Sequence, residues 1–489
     1  MTQTAAIIGG GVIGGGWAAR FLLNGWDVQV FDPAPDAEAT LAPVIAQARR
    51  ALPGLTDVAL PPEGRLSFHD TIAEAVNGAH WVQESVPERL DLKHKVLAEI
   101  QDTLDPEAVI GSSTSGFKPS ELQEGAKDPT QILVTHPFNP VYLMPLVEVV
   151  PGDTHDPRAV AWAKEVLTGL GMFPLHVRGE IDAHIADRFL EAVWREALWL
   201  VKDGVATTEE IDEAIRMGFG IRWAQMGLFD TYRTAGGAAG MRHFMAQFGP
   251  ALKWPWTKLM DVPEFTDDLV DLIAGQSDAQ SGHMTIAEML RIRDDNLVGL
   301  MRSLKGTNWG AGAVLNAHER RLAAASGADR FPAGNPSEPI ETGRRTIPLD
   351  WTDYNGHMNE ARYLQAFGDA TDRFKVLIGC DADYIATGGS YFTAETHIRH
   401  IDEVHAGTLV TIRTQVLAGA GKKMHLWHEM WAGDRLIATG EHFLLHVSLE
   451  TRKPSDPAPH IAETLERIAT AHAALPRPDG AGRAVGQRP

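Results

Sequence analysis

Residues Ala5 to Ile8 form a short apolar run that ends at once in Gly9-Gly-Gly11-Val12-Ile13-Gly14. Nothing else in the chain restricts the fold as tightly. The run reads as a buried strand, Trp17 to Asn24 as a helix, and Asp27 to Phe31 as a second strand, so G-x-G-x-x-G stands between strand and helix. In that setting Gly9 makes the tight turn, Gly11 lets a pyrophosphate reach the backbone, and Gly14 packs helix on strand. Val12 and Ile13 lie in the first helical turn, where free N–H groups and the helix dipole favour anions. Asp32 closes the second strand, about 20 residues on, where a carboxylate accepts from both ribose hydroxyls. Pro33-Ala34-Pro35 supplies no cation for a 2′-phosphate, so the expected cofactor is NAD rather than NADP.

Three more strands are expected at His80 to Val86, Ala108 to Ser112 and Gln131 to Thr135. Ligands in open α/β sheets bind at the carboxyl ends of strands, and Glu84, Ser115 and His136 all fall there. The segment from His136 to Glu148 carries an imidazole, the carboxamide of Asn139 and a carboxylate among apolar residues. Pro137, Pro140 and Pro145 keep most of it out of regular helix or central strand. His136 reads as a general base, Glu148 as the carboxylate holding it, and Asn139 as a donor toward a substrate oxygen. The bland alternative is that His136 and Asn139 only satisfy backbone groups in a turn.

With these residues in hand, the first ~320 positions resemble the 3-hydroxyacyl-CoA dehydrogenase family, with its gulonate dehydrogenase and λ-crystallin relatives. The resemblance rests on Gly9 to Gly14, Glu88 with Lys93, Thr114-Ser115, and His136-x-x-Asn139-Pro through Glu148. It implies that Ser115 and Asn139 hold the hydroxyl or carbonyl oxygen, and that Glu88 and Lys93 contact the cofactor. It also implies a helical domain, from Ile181 to about Ala325, that closes on substrate and pairs two copies into a homodimer. Pattern agrees: Ile185 to Val201 is apolar at helical spacing, and Thr207-Thr208-Glu209-Glu210 is a capping signal for a helix to Met217.

One position departs from the family. Where Asn is usual before Arg, this chain has Asp187. A carboxylate there repels anionic substrates and attracts cations. Phe219, Arg222 and Trp223 in Met217-Gly-Phe-Gly-Ile-Arg-Trp suit a substrate with a quaternary ammonium at one end and a carboxylate at the other. The competing reading makes these aromatics core residues and Arg222 a surface charge. These residues resemble the carnitine-oxidising branch, and by that resemblance the expected substrate is L-carnitine.

Ala323 to Thr342 is rich in Gly and Pro and reads as a linker. Beyond it, one strand, a loop Asp353-Tyr-Asn-Gly-His357-Met-Asn359, a helix from Glu360 to Ile378 and four more strands imply α+β. Tyr363, Leu364, Phe367, Phe374 and Leu377 mark the helix's buried face. Residues of about 340–452 resemble hotdog-fold acyl-CoA thioesterases through Asp353-x-x-Gly-His-Met-Asn359. By that resemblance Asp353 is nucleophile or base, N–H groups near Gly356 and His357 form an oxyanion hole, and Asn359 positions water or thioester. An Asx-turn and helix cap without chemistry is the bland alternative. The fusion resembles the two-domain enzymes of bacterial carnitine catabolism, and that resemblance implies betainyl-CoA as the second substrate, with Trp351, Tyr391, Trp427 and Trp431 as candidate contacts for its ammonium. A different hydroxyacyl or hydroxyacid substrate, with the hotdog domain only an oligomerisation module, is the alternative.

The expected division is an α/β Rossmann domain (1–180), an all-α domain (181–322), a linker (323–340), a hotdog domain (341–455) and a peripheral tail (456–489), its last residues disordered. The formal charge of -20 argues against nucleic acid. Cys380 stands alone, which removes disulfides and Cys-based zinc sites, and no metal is expected. No signal peptide or membrane-length apolar span is read, so a soluble cytoplasmic protein is expected.

Overall fold

The computed structural model describes residues 3–235, 240–248, 257–258, 264, 266–325 and 337–483. Its contacts divide the chain into two units, Met1–Ala48 with Pro62–His318, and Arg49–Pro61 with Glu319–Pro489.

The first unit is built on a sheet of eight strands: β1 (Thr4–Ile8), β2 (Asp27–Phe31), β3 (Leu66–Phe68), β4 (Trp81–Glu84), β5 (Val109–Ser112), β6 (Ile132–Pro137), β7 (Leu146–Val150) and β8 (Phe173–His176). Their order is β3-β2-β1-β4-β5-β6-β7-β8. Strands β1 to β6 run parallel, β7 turns antiparallel to β6, and β8 follows β7. Helix α1 (Val12–Leu23) follows β1, and α2 (Leu90–Thr103) follows β4. The apolar runs lie inside: every β1 residue from Ala5 to Ile8 is fully buried.

The segment from His136 to Glu148 differs from the expected irregular stretch. Its ends belong to the ladder, with His136 directly opposite Glu148. The prolines shape only the turn between, which contains the cis bond Asn139-Pro140. Arg20 of α1 is buried and donates to the carbonyls of Tyr142 (2.7 Å), Leu170 (2.9 Å) and Gly171 (2.7 Å), which clamps that turn.

The all-α part contributes α3 (Ala186–Lys202), α4 (Thr208–Ala214), α5 (Gly220–Ala235) and α6 (Ile286–Ser303). Thr207 and Glu210 form the expected capping box, but α4 stops short of Met217 and passes into a π-turn over Ile215–Phe219. Gly218 and Gly227 take non-helical angles, so the aromatic stretch is a broken helix. Tyr142 donates to Asp294 of α6 at 2.8 Å, tying this part to the clamped turn.

The second unit carries β9 (Ile340–Thr346), α7 (Glu360–Leu377), β10 (Gly389–His400), β11 (Leu409–Ala420), β12 (Lys423–Ala432), β13 (Arg435–Ser448) and α8 (Pro459–His472). The antiparallel sheet runs β10-β13-β12-β11-β9. It is a hotdog arrangement, with α7 burying Tyr363, Phe367, Ala370 and Phe374 at helical spacing. Leu364 lies off that stripe and is 49% exposed, contrary to its expected place in the core. The tail is also not peripheral. Ile461, Leu465 and Ile468 of α8 are buried, Gly419 leaves room for Leu465, and His472 accepts from the N–H of Val416 at 2.8 Å. Most of the expected linker (326–336) and the last six residues lie outside the described ones. Among the described residues, no helix is long and apolar enough to cross a membrane.

Candidate active sites

Gly9 has φ +99°, and a side chain there would strike the Ser85 carbonyl. A Cβ at Gly14 would strike the Gly9 carbonyl. At Gly11, by contrast, a Cβ would meet nothing within 4 Å, so only an incoming group needs that space. No side chain caps α1, its first turn holds no acid, and Val12 is 63% exposed there. The free N–H groups therefore face an open, anion-favouring cradle. Asp32 accepts from Gly10 N–H (2.6 Å) and Ala34 N–H (2.8 Å), which fixes its carboxylate at the strand end with lone pairs to spare. These residues fit a dinucleotide.

Glu84, Glu88 and Lys93 form one cluster. Lys93 is 1% exposed, and its ammonium donates to Glu84 at 2.9 and 3.1 Å and pairs with Glu88 at 3.2 Å. Glu84 also accepts from Ser112 and is fully buried, so this strand-end acid faces inward rather than toward a ligand. Lys93 is likewise consumed by protein partners, and any contact it makes with a cofactor runs through Glu88. Glu88 is half-exposed and accepts from the Thr114 hydroxyl and the N–H groups of Ser115 and Gly116. Burial alone would raise its carboxyl; Thr114, Lys93 and Gly116 together hold it below the usual range.

Beside this cluster stands the string Glu148–His136–Asp187. His136 Nδ1 lies 3.0 Å from Glu148 Oε2. The other Glu148 oxygen accepts from Ile185 N–H (2.9 Å) and Ala186 N–H (3.0 Å) at the start of α3. Burial pushes the Glu148 carboxyl up, but the His136 hydrogen bond and those two N–H groups outweigh it and keep it low. A carboxylate so fixed sets the imidazole tautomer and leaves Nε2 for the substrate. Asp187 lies 3.5 Å from that Nε2, and burial raises its carboxyl. Ser115 and Asn139 are exposed.

His184 escaped the sequence reading. It is fully buried, its ring lies 5.4 Å from that of His136, and Nε2 faces the Thr114 carbonyl at 3.3 Å. Ala183 and His184 both take left-handed angles (φ 58° and 50°), which no residue pattern announces. Phe219 packs on Trp223 at 4.6 Å and Arg222 is exposed. Among the described residues, no hydrogen bond, ion pair or ring contact joins these three to the His136 cluster.

In the second unit Asp353 Oδ1 accepts from Asn355 N–H (2.9 Å) and His357 N–H (3.3 Å), an Asx-turn. Gly356 N–H donates to the Asp353 carbonyl at 3.0 Å. The expected oxyanion donors at Gly356 and His357 are therefore already used, because the helix starts only at Glu360. Asn359 caps α7, its side chain accepting from Ala361 N–H at 3.0 Å. Trp351 is 2% exposed with the Arg345 guanidinium 3.6 Å over its ring, and Tyr391 and Trp427 are core residues.

Residues 4–181 match the NAD-binding domain of 3-hydroxyacyl-CoA dehydrogenase, 184–265 its C-terminal domain, and 347–465 the thioesterase-like superfamily. The L-carnitine dehydrogenase/betainyl-CoA thioesterase of Ruegeria pomeroyi is 70% identical over 482 residues, 99% of both chains. That of Agrobacterium fabrum is 54% identical over 98% of this chain and 97% of its own. The chain belongs to the L-carnitine dehydrogenase/betainyl-CoA thioesterase family. A Mesorhizobium japonicum relative, called L-carnitine dehydrogenase, is 59% identical over 65% of this chain and 89% of its own. Among solved structures, an NAD+-dependent 5-formyl-3-hydroxy-2-methylpyridine 4-carboxylic acid 5-dehydrogenase superposes with TM-score 0.55 at 28% identity, covering 63% of this chain and 99% of its own.

Proposed function

We propose that this chain oxidises L-carnitine to 3-dehydrocarnitine with NAD and, in its second unit, hydrolyses betainyl-CoA to glycine betaine and CoA. The observation that carries the reading is the Glu148–His136–Asp187 string in a chain aligned end to end with relatives bearing that double name. Gly9, Gly11, Val12, Ile13 and Gly14 would cradle the pyrophosphate, Asp32 the ribose hydroxyls, and Glu88, held by Lys93, would border the nicotinamide side. NAD, when bound, supplies the hydride acceptor. His136 takes the hydroxyl proton on Nε2, and Glu148 stabilises the imidazolium that results. Ser115 and Asn139 donate to the substrate oxygen. Asp187 faces the trimethylammonium, which has no N–H to donate but is drawn by charge. Phe219, Arg222 and Trp223 are the candidate further contacts for the ammonium and carboxylate ends of the substrate.

In the second unit Asp353 attacks or activates water through Oδ2, and Asn359 places the thioester with its free amide N–H groups. The Asx-turn and cap at these residues also suit a domain that only assembles, so Asp353→Ala decides between the two. We further propose a cytoplasmic homodimer. Phe189 (54%), Leu190 (56%) and Trp194 (56%) leave an apolar face of α3 exposed, which a second copy would cover. The domain limits proposed are 1–180, 181–322 and a hotdog domain extended through α8.

The test is NADH formation from L-carnitine, L-3-hydroxybutyryl-CoA and L-gulonate, with thiol release from betainyl-CoA followed in parallel. Turnover of carnitine alone supports the reading. Preference for either anionic comparator overturns the role given to Asp187.

A further inference from the structure

A loop faces the Asp353 turn across a short backbone bridge. His357 and His405 sit opposite each other in an isolated antiparallel bridge, reinforced by Met358 N–H donating to the Val404 carbonyl at 2.8 Å. Their rings lie 4.8 Å apart. Glu403, two residues before His405, brings Oε2 to 3.4 Å from His357 Nε2. One ligating atom from each of His357, Glu403 and His405 lies within 4.8 Å of the others.

We propose that His357, Glu403 and His405 form a binding site for a divalent transition-metal ion of the zinc class, with its remaining position open to solvent. Three observations carry this beyond a surface ion pair. First, ligands about 2.0–2.2 Å from a tetrahedral ion stand roughly 3.3–3.6 Å apart, and the His357–Glu403 pair already has that spacing. Second, His405 Nδ1 faces the Gly356 carbonyl at 3.0 Å and must carry its proton there. Nε2 is therefore left with a lone pair, and the ring is oriented by the backbone as metal-bound histidines are. Third, the backbone bridge holds the two histidine backbones opposite each other without any help from an ion, so little backbone order is lost on binding. Two imidazoles and one carboxylate are a donor set that zinc-class ions accept and that magnesium or calcium disfavours.

The placement has a consequence for the neighbouring turn. Asp353 N–H donates to the His357 carbonyl at 2.8 Å, and Asp353 Oδ1 accepts from His357 N–H. An ion tying His357 to Glu403 and His405 would clamp both segments and stiffen the Asp353 loop. The sequence held no warning of this, because Gly-His-Met-Asn and Glu-Val-His are about 45 residues apart and neither has a metal-motif spacing.

The test is calorimetric titration of Zn2+ into the full-length, untagged protein after chelator treatment, with Mg2+ as a control and Co2+ for its absorption bands. The expected result is one equivalent of Zn2+ per chain, with weaker binding in both His405→Ala and Glu403→Gln. Each loss should exceed the ~10–100-fold typical of removing a residue that only orients a ligand. Circular dichroism would establish that both variants stay folded, and the conservative Glu403→Gln keeps the loop's shape if His405→Ala does not. Absence of a stoichiometric zinc isotherm in the wild type overturns the proposal. So does zinc binding that neither substitution weakens.

Discussion

His136 stands on a strand paired on both sides, directly across from its carboxylate partner, while Asp353 stands in a loop whose partners are its own neighbours. The first arrangement spends sheet register to hold an acid–base pair: Glu148 is fully buried, and one oxygen is fixed by two helix N–H groups. The second spends only a turn and a helix cap, and leaves Asp353 half-exposed. A base that must take a proton at one defined nitrogen gains from rigidity. A carboxylate that meets a flexible thioester can be held by a turn that a second element, or a bound ion, tightens. The difference teaches that the two proposed sites are held by different levels of structure, core packing in one and local chain geometry in the other.

The sharpest way to break the comparison is Glu148→Gln. It keeps the shape and removes the charge, so carnitine oxidation should fall by about 10²-fold or more while thioester hydrolysis persists; steady-state kinetics of both reactions checks this. The same substitution removes a folded carboxyl held below its ordinary value. Its contribution is present above the unfolded pKa of about 4.5 and lost as pH falls through the lower folded value, so acid unfolding should begin at higher pH.

Next in size is Asp187→Asn. Losing one partly screened ion pair should lower kcat/KM for L-carnitine about five- to tenfold and narrow the gap to anionic comparators. An unchanged ratio would remove Asp187 from substrate selection.

The second unit has its own pH signature. His428 and His442 are buried around the Thr371 hydroxyl at 3.0 and 3.1 Å, and burial pushes His442 down to about 4 and His428 well below its ordinary value. Both stay neutral when folded, whereas an unfolded chain protonates near 6.5. Unfolding then takes up protons, so stability is full above that value and falls as pH drops toward about 4. Thermal melts of the second unit across this window should show the slope, and His442→Gln should flatten part of it. The smallest effect expected is Asn359→Ala, which removes the α7 cap and should cost about 1 kcal/mol in urea unfolding.

How much of this was legible depends on whether the cause is local. The glycines before α1, the acid at Asp32 and the cap at Thr207 are written in adjacent residues and were readable. So was the pairing of His136 with Glu148, although the prolines hid that both belong to strands. The burial of Lys93 was not readable, because it depends on Glu84 and Ser112, distant in sequence and silent in pattern. His184 depends on two left-handed residues, and backbone angles leave no periodic mark. Leu364 and α8 turn on the phase of one helix and on the space at Gly419, which only packing fixes.

The most direct test of two independent sites is a crossed experiment on the full chain: His136→Ala and Asp353→Ala, each assayed for carnitine oxidation and for betainyl-CoA hydrolysis. The expected result is a clean exchange, with His136→Ala losing about 10²–10⁴-fold of oxidation only and Asp353→Ala a similar factor of hydrolysis only. If Asp353→Ala left hydrolysis intact, or if either substitution removed both activities in a folded protein, the account of two separately built sites would be contradicted.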